Sequence, residues 1–379
     1  NGKSAFLVNL LQNINKEYCL DISDDVNKCF AVYIEPESGG RTKTFSSFVD
    51  LFFSAIFRSN IIDHSLTVLR LEAINALYPM KVFFAGDVDE KQITQDLSDI
   101  DWYKSQSIDI GEITEHISKN ALFQQLPADF PLFKGQKGLF GGELVTKEDF
   151  KDYYFKLSLR RDKERLDFVF THIVQLFRAA GFTGVYALVD DFERIPDYQS
   201  ARQKRDFALE LRTCLFDGLY SSAKLGFYNI ILVLHAGVQR LISESWAESG
   251  MENRAPISPQ IPSKHVIPFV KLSREHTKLL IRKYLFEYRI NADQEHSDIH
   301  PFTEEALTKI GELSEYNAAR ILKIAYELLD KAATEEGRTT IDDAFVTAEK
   351  ETSFGDLDRP SPALENSASI DLLGKAQGL

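Results

Sequence analysis

The sequence predicts an α/β domain, a parallel sheet packed between helices, followed by a small all-helical domain. Three observations predict it. Residues 5–58 read helix, strand, helix, the order that builds parallel sheets. Two continuous apolar runs, VYALVDD at 185–191 and NIILVLHAG at 229–237, have the character of strands buried on both faces. From residue 273 onward the pattern is helical, with four amphipathic segments in succession.

The elements follow in order. AFLVNLLQNINK at 5–16 carries apolar residues at helical spacing, and CFAVYIEP at 29–36 is a short β-rich run stopped by Pro36. Gly39 and Gly40 make a turn, and residues 44–58 are again helical, with Thr44 or Ser46 as the cap. Helices are expected at 63–78, 110–126 and 166–180, with loop between 127 and 146. After the strand at 185–191 come a helix at about 201–222, the strand at 229–237, a proline-rich loop at 249–264 and a short strand at 266–272. The closing helices are expected at 273–290, 303–313, 317–336 and 340–350, with Thr303 and Thr340 as caps. The tail beyond Ser353, rich in Ser, Pro, Gly and Asp, reads as a linker.

Composition bounds the function. The 379 residues, 44% hydrophobic and 27% charged, suffice for two or three domains. A net charge of −13 argues against a generic nucleic-acid coat while leaving room for a local basic patch. Cys19, Cys29 and Cys214 form no CxxC pair and fit no metal-ligand spacing, which suits reduced, buried thiols in a cytosolic protein. No apolar run approaches the length of a membrane span, so no membrane partner is expected. The opening Asn-Gly-Lys-Ser is no signal peptide and reads as the middle of a motif whose first half, with its strand, lies upstream.

That motif is the phosphate-binding loop, GxxxxGK[ST] between a strand and a helix. Asn1, Gly2, Lys3 and Ser4 would be its second half. Glycine turns backbone N–H groups toward phosphates, the Lys3 charge sits between β- and γ-phosphates, and the Ser4 hydroxyl ligates Mg²⁺ at a helix N-terminus. A bare GKS also occurs in ordinary loops. The second motif is the apolar strand ending in Asp190 and Asp191, with Glu193 beyond. Here Asp190 would hold Mg²⁺ and Asp191 would orient or deprotonate the attacking water, at the strand ends where α/β sheets bind ligands. The competing reading is a pair of N-cap acids at a strand–helix turn. The third is His235, ending the next strand, where it could contact a γ-phosphate or water or simply be satisfied by backbone.

The segment PFTEEALTKIGELSEYNAARILKIAYELLDKAATEEGRTTIDDAFV at 301–346 resembles the lid of AAA+ ATPases of the origin-recognition and initiator-loader group. That lid carries a GN/GD-x-R element, and here Glu315-Tyr316 stands where glycine is usual. The resemblance extends to 29–58 and to ENRAPISPQIPSKHVIPFVKLSREHTKLLIRKYL at 252–285, and covers about residues 1–58 and 180–350. It implies a P-loop NTPase fold: an AAA+ core at 1–265 with its first strand upstream, a helical lid at 266–350 and a tail at 351–379. It also implies ATP and Mg²⁺ as ligands. Arg320 would be the lid arginine that reaches the γ-phosphate in its own subunit, against the alternative of a surface arginine paired with Glu327 or a neighbouring acid. Arg254, with Arg240 and Arg274 as rivals, would be an arginine finger offered to a neighbouring subunit, a group worth on the order of a thousandfold in rate. His235 departs from the Asn, Thr or Ser usual at its position, and the double acid also resembles STAND signalling ATPases.

The stretch between Lys3 and Asp190 exceeds that of a compact AAA+ domain by roughly a hundred residues, placed at about 60–165, and long inserts tend to be functional. Lys134, Lys137, Phe133 and Phe140 on a glycine-rich loop, and the basic run Arg160, Arg161, Lys163 and Arg165, could form a DNA-contacting surface, with the charges on phosphates. The plainer reading is a hairpin and a solvated helix face. The sequence-level expectation is therefore an ATP-hydrolysing module that assembles with copies of itself or partner proteins and works on DNA, as in initiation, transposition or anti-phage defence. The alternatives are a nucleotide-regulated signalling switch and a scaffold with a degenerate site.

Overall fold

A computed structural model of the protein describes residues 2–18, 28–84, 89–137, 143–158, 163–234, 239–257, 264–267, 272–289, 298–335 and 337–353. The chain divides into two compact units: Lys3–Ile267, and the chain from Pro268 onward together with Asn1–Gly2. Among the described residues, no single helix is long and apolar enough to cross a membrane.

The first unit is α/β. It begins with α1 (Lys3–Tyr18), β1 (Lys28–Ile34), α2 (Phe45–Arg58) and α3 (Ile61–Leu77). Short helices follow: α4 (Glu90–Asp96), α5 (Ile100–Ser105), α6 (Ile110–Ser118) and α7 (Lys147–Lys156). Then α8 (Glu164–Asp167) runs through a π turn at Phe168–His172 into α9 (Ile173–Ala179), and the chain enters β2 (Phe182–Val189). After β2 come α10 (Ala201–Leu215), α11 (Ser221–Leu225), β3 (Tyr228–Leu232) and α12 (Gln239–Glu248). The three strands form one parallel sheet in the order β1-β2-β3.

Alternation along the strands assigns the two faces. Ala31, Leu188 and Val233 pack with Leu7 and Ile14 of α1 on one face. Phe30, Val32, Ile34, Val185, Ala187 and Val189 belong to a larger core on the other, shared with α2, α3 and α9. Phe30 sets its ring edge-on to Phe177 and Phe182, at centroid distances of 5.1 and 5.2 Å. Asn15 ties α1 to β1: its side-chain amide donates to Ala31 O at 3.1 Å and accepts from Ala31 N–H at 2.7 Å. Backbone groups on an edge strand, which a neighbouring strand would otherwise satisfy, are thereby paired.

The segment at 60–165 is built into this core. Arg70 of α3 is 5% exposed and donates to the carbonyls of Leu97 and Val145, holding two distant stretches of chain. Tyr154 of α7 stacks on Phe53 of α2 with centroids 4.0 Å apart, and Asp50 of α2 accepts from both Tyr154 and Arg165.

Several expected boundaries move for identifiable reasons. The helix expected over 110–126 stops at Ser118, because the Asn120 side chain accepts from Leu122 N–H and starts a separate turn. That expected over 201–222 breaks at Leu215 into a turn through Gly218, φ 71°, before α11. Residues 266 and 267 are not strand, and 268–271 of the expected strand at 266–272 lie outside the described residues. α4, α5 and α7 had no counterpart in the apolar pattern; α4 buries no residue at all.

The second unit holds α13 (Arg274–Tyr288), α14 (Glu304–Leu313), α15 (Ala318–Thr334) and α16 (Asp343–Ser353) around a core of its own that includes Ile281, Leu307, Ile310, Ile321, Ile324 and Leu328. Thr303 caps α14 by accepting from Ala306 N–H at 3.2 Å. At α16 the capping side chain is Asp342, accepting from Phe345 N–H at 2.8 Å, in place of the expected Thr340. The turn into α15 places both Glu315 (φ 51°) and Tyr316 (φ 57°) in the left-handed region, which glycine adopts without strain.

Candidate active site

Register builds the site. β1 pairs with β2 through Ile34↔Val189, and β2 with β3 through Val189↔Leu232. Glu35, Asp190 and Val233 therefore leave the sheet side by side at its carboxyl edge. The ladder extends one step further, with Asp190 N–H donating to Ile34 O and Val233 N–H to Val189 O, each at 2.9 Å. In open α/β sheets this edge is where ligands bind.

The two acids take different surroundings. Asp190 lies two residues beyond Leu188, so alternation returns it to the α1 face. It is 5% exposed, and both carboxylate oxygens are engaged: Oδ2 accepts from the Tyr33 phenol at 2.6 Å and Oδ1 from Asp191 N–H at 3.0 Å. Burial, then the bond to Asp190, pushes the Tyr33 pKa up, so the phenol stays protonated and keeps donating.

Asp191 sits at φ 44°, ψ 44°, a left-handed conformation that Asp tolerates better than most residues but that still costs about 1–3 kcal/mol. The turn brings its carboxylate to Arg194, Nη2 to Oδ2 at 2.6 Å. Nη1 of the same guanidinium reaches Glu35 Oε1 at 2.8 Å and Pro36 O at 3.2 Å. Burial alone would lower the Arg194 pKa, but the Glu35 hydrogen bond and the charges of Asp191, Glu35 and Asp190 outweigh it, and the pKa is raised. Glu193 is buried beside this turn.

Gly2, at φ 75° with open space where a Cβ would stand, leads directly into α1. Lys3 is half-buried and Ser4 exposed in the first turn of that helix, whose leading N–H groups have no intrahelical partner. Arg254 is exposed just after a short turn at Met251–Asn253 of the first unit, its N–H donating to Met251 O at 2.9 Å. Arg320 belongs to the second unit, in the first turn of α15, where its N–H and that of Ala319 donate to Asn317 Oδ1. Asn1 and His235 lie outside the described residues, as do Cys19, Phe140, Arg160, Arg161 and the tail from 354 on. The structure thus brings together Asp190 and Asp191 and adds three residues that the sequence reading did not single out: Tyr33, Glu35 and Arg194.

Of the basic residues expected to contact DNA, Lys134 and Arg165 are paired with acids of this chain, and Lys163 is exposed. Lys134 pairs with Glu143 and Asp149, each at 3.0 Å, and Phe133 packs on the main core. Arg165 pairs with Asp50 at 2.9 Å and lies over the Tyr154 ring.

The donor chemistry of the sheet edge fits Mg²⁺. Asp190 is a buried carboxylate, a hard-oxygen donor, whose two oxygens have fixed hydrogen-bond partners of the kind that orient metal-binding carboxylates. Among the described residues no group of three or more His, Cys, Asp or Glu side chains converges. Mg²⁺ commonly uses one or two carboxylates and takes its remaining ligands from water and phosphate. No protein family, curated protein or solved structure matches the chain.

Proposed function

We propose that this chain is an ATP-binding and ATP-hydrolysing module of the P-loop, AAA+ kind. The observation that carries the reading is the carboxyl edge of the sheet, where an oriented, buried Asp190 and a half-buried Asp191 follow the same buried strand. Lys3 would place its charge between the β- and γ-phosphates, with the N–H groups of the first turn of α1 alongside. Asp190, with Ser4, would hold Mg²⁺, which supplies neutralisation of the charge on the phosphate oxygens. Asp191 would orient the attacking water and accept its proton. Arg254 would act as a finger for the site of a neighbouring subunit, and Arg320 would take the lid-arginine role that the resemblance implies. The left-handed backbone at Glu315 and Tyr316 supports the lid resemblance, since it is the conformation the missing glycine would take.

Work on DNA or a DNA-processing complex, and self-assembly or assembly with partner proteins, belong to the same proposal. The alternative, a nucleotide-controlled switch with slow turnover, is favoured by one observation: Asp191 is engaged in an ion pair. Phosphate release from Mg-ATP tests the reading. The parent should turn over, and Asp191→Asn should slow turnover by about a hundredfold or more with nucleotide affinity kept. Equal rates in the two proteins would overturn it.

A further inference from the structure

Arg194 spans two acids from different elements. One nitrogen is 2.6 Å from Asp191 Oδ2 and the other 2.8 Å from Glu35 Oε1, with Pro36 O at 3.2 Å as a third acceptor. Charge-assisted contacts of this length are the strong kind, and the planar guanidinium fixes both carboxylates at once. A carboxylate held this way is a poor base, because taking a proton means giving up the bond to Arg194. The turn that makes the contact also holds Asp191 in its left-handed conformation, with Arg194 N–H donating to Asp191 O at 3.0 Å.

We propose that Arg194 is a latch that holds Asp191 out of action, with Glu35 as the rival acid that sets how tightly the latch closes. The inference rests on the ATPase reading of the same edge. Arg194 is a positioning residue: it acts through Asp191. Opening requires Arg194 to shift its weight to Glu35 and Pro36 O, which leaves Asp191 Oδ2 free for water. The mechanism makes two substitutions on the same ion pair act in opposite directions. Removing the guanidinium frees Asp191. Removing the Glu35 charge leaves Asp191 as the only carboxylate bonded to Arg194, and so closes the latch further.

The test is steady-state Mg-ATP turnover together with calorimetric Mg-ATP affinity for the parent, Arg194→Gln, Glu35→Gln and Arg194→Gln/Asp191→Asn. Arg194→Gln should raise kcat several-fold with affinity within about twofold of the parent. Glu35→Gln should lower kcat several-fold, again with affinity kept. The double variant should be as slow as Asp191→Asn alone, since the gain passes through Asp191. A role in folding alone would lower kcat in both single variants and would also lower their Tm. Parent turnover with Arg194→Gln no faster than the parent, or with Glu35→Gln faster than the parent, overturns the latch and leaves the ATPase reading standing. Absence of both Mg-ATP binding and turnover in the parent overturns the ATPase reading and the latch with it.

Discussion

The two ends of the sheet differ in kind. At the carboxyl end, Glu35, Asp190, Asp191 and Arg194 gather four formal charges within hydrogen-bonding reach of one another or of a shared partner. At the amino end, Phe30, Phe177 and Phe182 close edge-to-face, Lys28 is buried at 7% exposure, and His64 lies against the Phe182 ring. One strand, β2, carries both arrangements eight residues apart, from Phe182 to Asp190. The apolar end holds the strands in register, and that register is what sets Glu35 beside Asp190. The charged end uses the rigidity it inherits: buried oxygens with fixed partners and a backbone turn in a costly conformation.

The comparison breaks most visibly if a change at the amino end alters chemistry without altering stability. Phe30→Ala removes a fully buried ring and should cost about 3–5 kcal/mol of folding stability, read as a lower denaturation midpoint. Bound nucleotide should change little in affinity at temperatures where the variant is folded. A variant that keeps the parent midpoint would contradict the packing described.

A second change sharpens the same contrast through pH. Burial, with Lys28 nearby, lowers the His64 pKa from 6.5 to about 4, and His64 Nε2 has no hydrogen-bond partner among the described residues. Below about 6.5 the unfolded chain takes up a proton that the folded chain resists. Stability contributed by neutral His64 is therefore complete above about 6.5 and falls as pH drops toward about 4, by on the order of 2–3 kcal/mol. Burial lowers the His172 pKa as well and adds in the same direction. His64→Leu should flatten the acid side of the stability profile measured by urea unfolding. An unchanged slope between pH 6.5 and 4.5 would show that His64 does not titrate as described.

At the carboxyl end, Tyr33→Phe removes one hydrogen bond and almost no volume. Outer partners of metal-binding carboxylates typically matter tenfold to about a hundredfold in metal affinity. Mn²⁺ binding in the presence of ATP, followed by electron paramagnetic resonance, should weaken by about tenfold while the denaturation midpoint stays near the parent value. Unchanged Mn²⁺ affinity would mean that the Tyr33–Asp190 bond does not orient a metal ligand.

Much of the first unit was legible because the relevant signals are local. Thr44 caps α2 and pairs with Ser47 as a capping box, and the apolar run before Asp190 is a buried strand. The short helices α4, α5 and α7 were not, because the stretches around them are held by distant partners. Arg70 reaching Leu97 O and Val145 O is a tertiary fact that no periodicity carries. The same holds for the site. Asp190 and Asp191 stand out as adjacent acids, whereas Tyr33, Glu35 and Arg194 look ordinary until parallel register lays Ile34 against Val189. The one available signal was position: Glu35 follows the first strand as Asp190 follows the second.

On the proposed reading, the head of α1 and the acids at the sheet edge make one Mg-ATP site. Isothermal titration of Mg-ATP into the parent and into Lys3→Ala tests it most directly, because the variant removes a single charge from a half-buried position at a helix start. The parent should bind saturably and only with Mg²⁺, and Lys3→Ala should lose that binding, with both proteins unfolding at similar temperatures. Binding of equal affinity in the two proteins would contradict it.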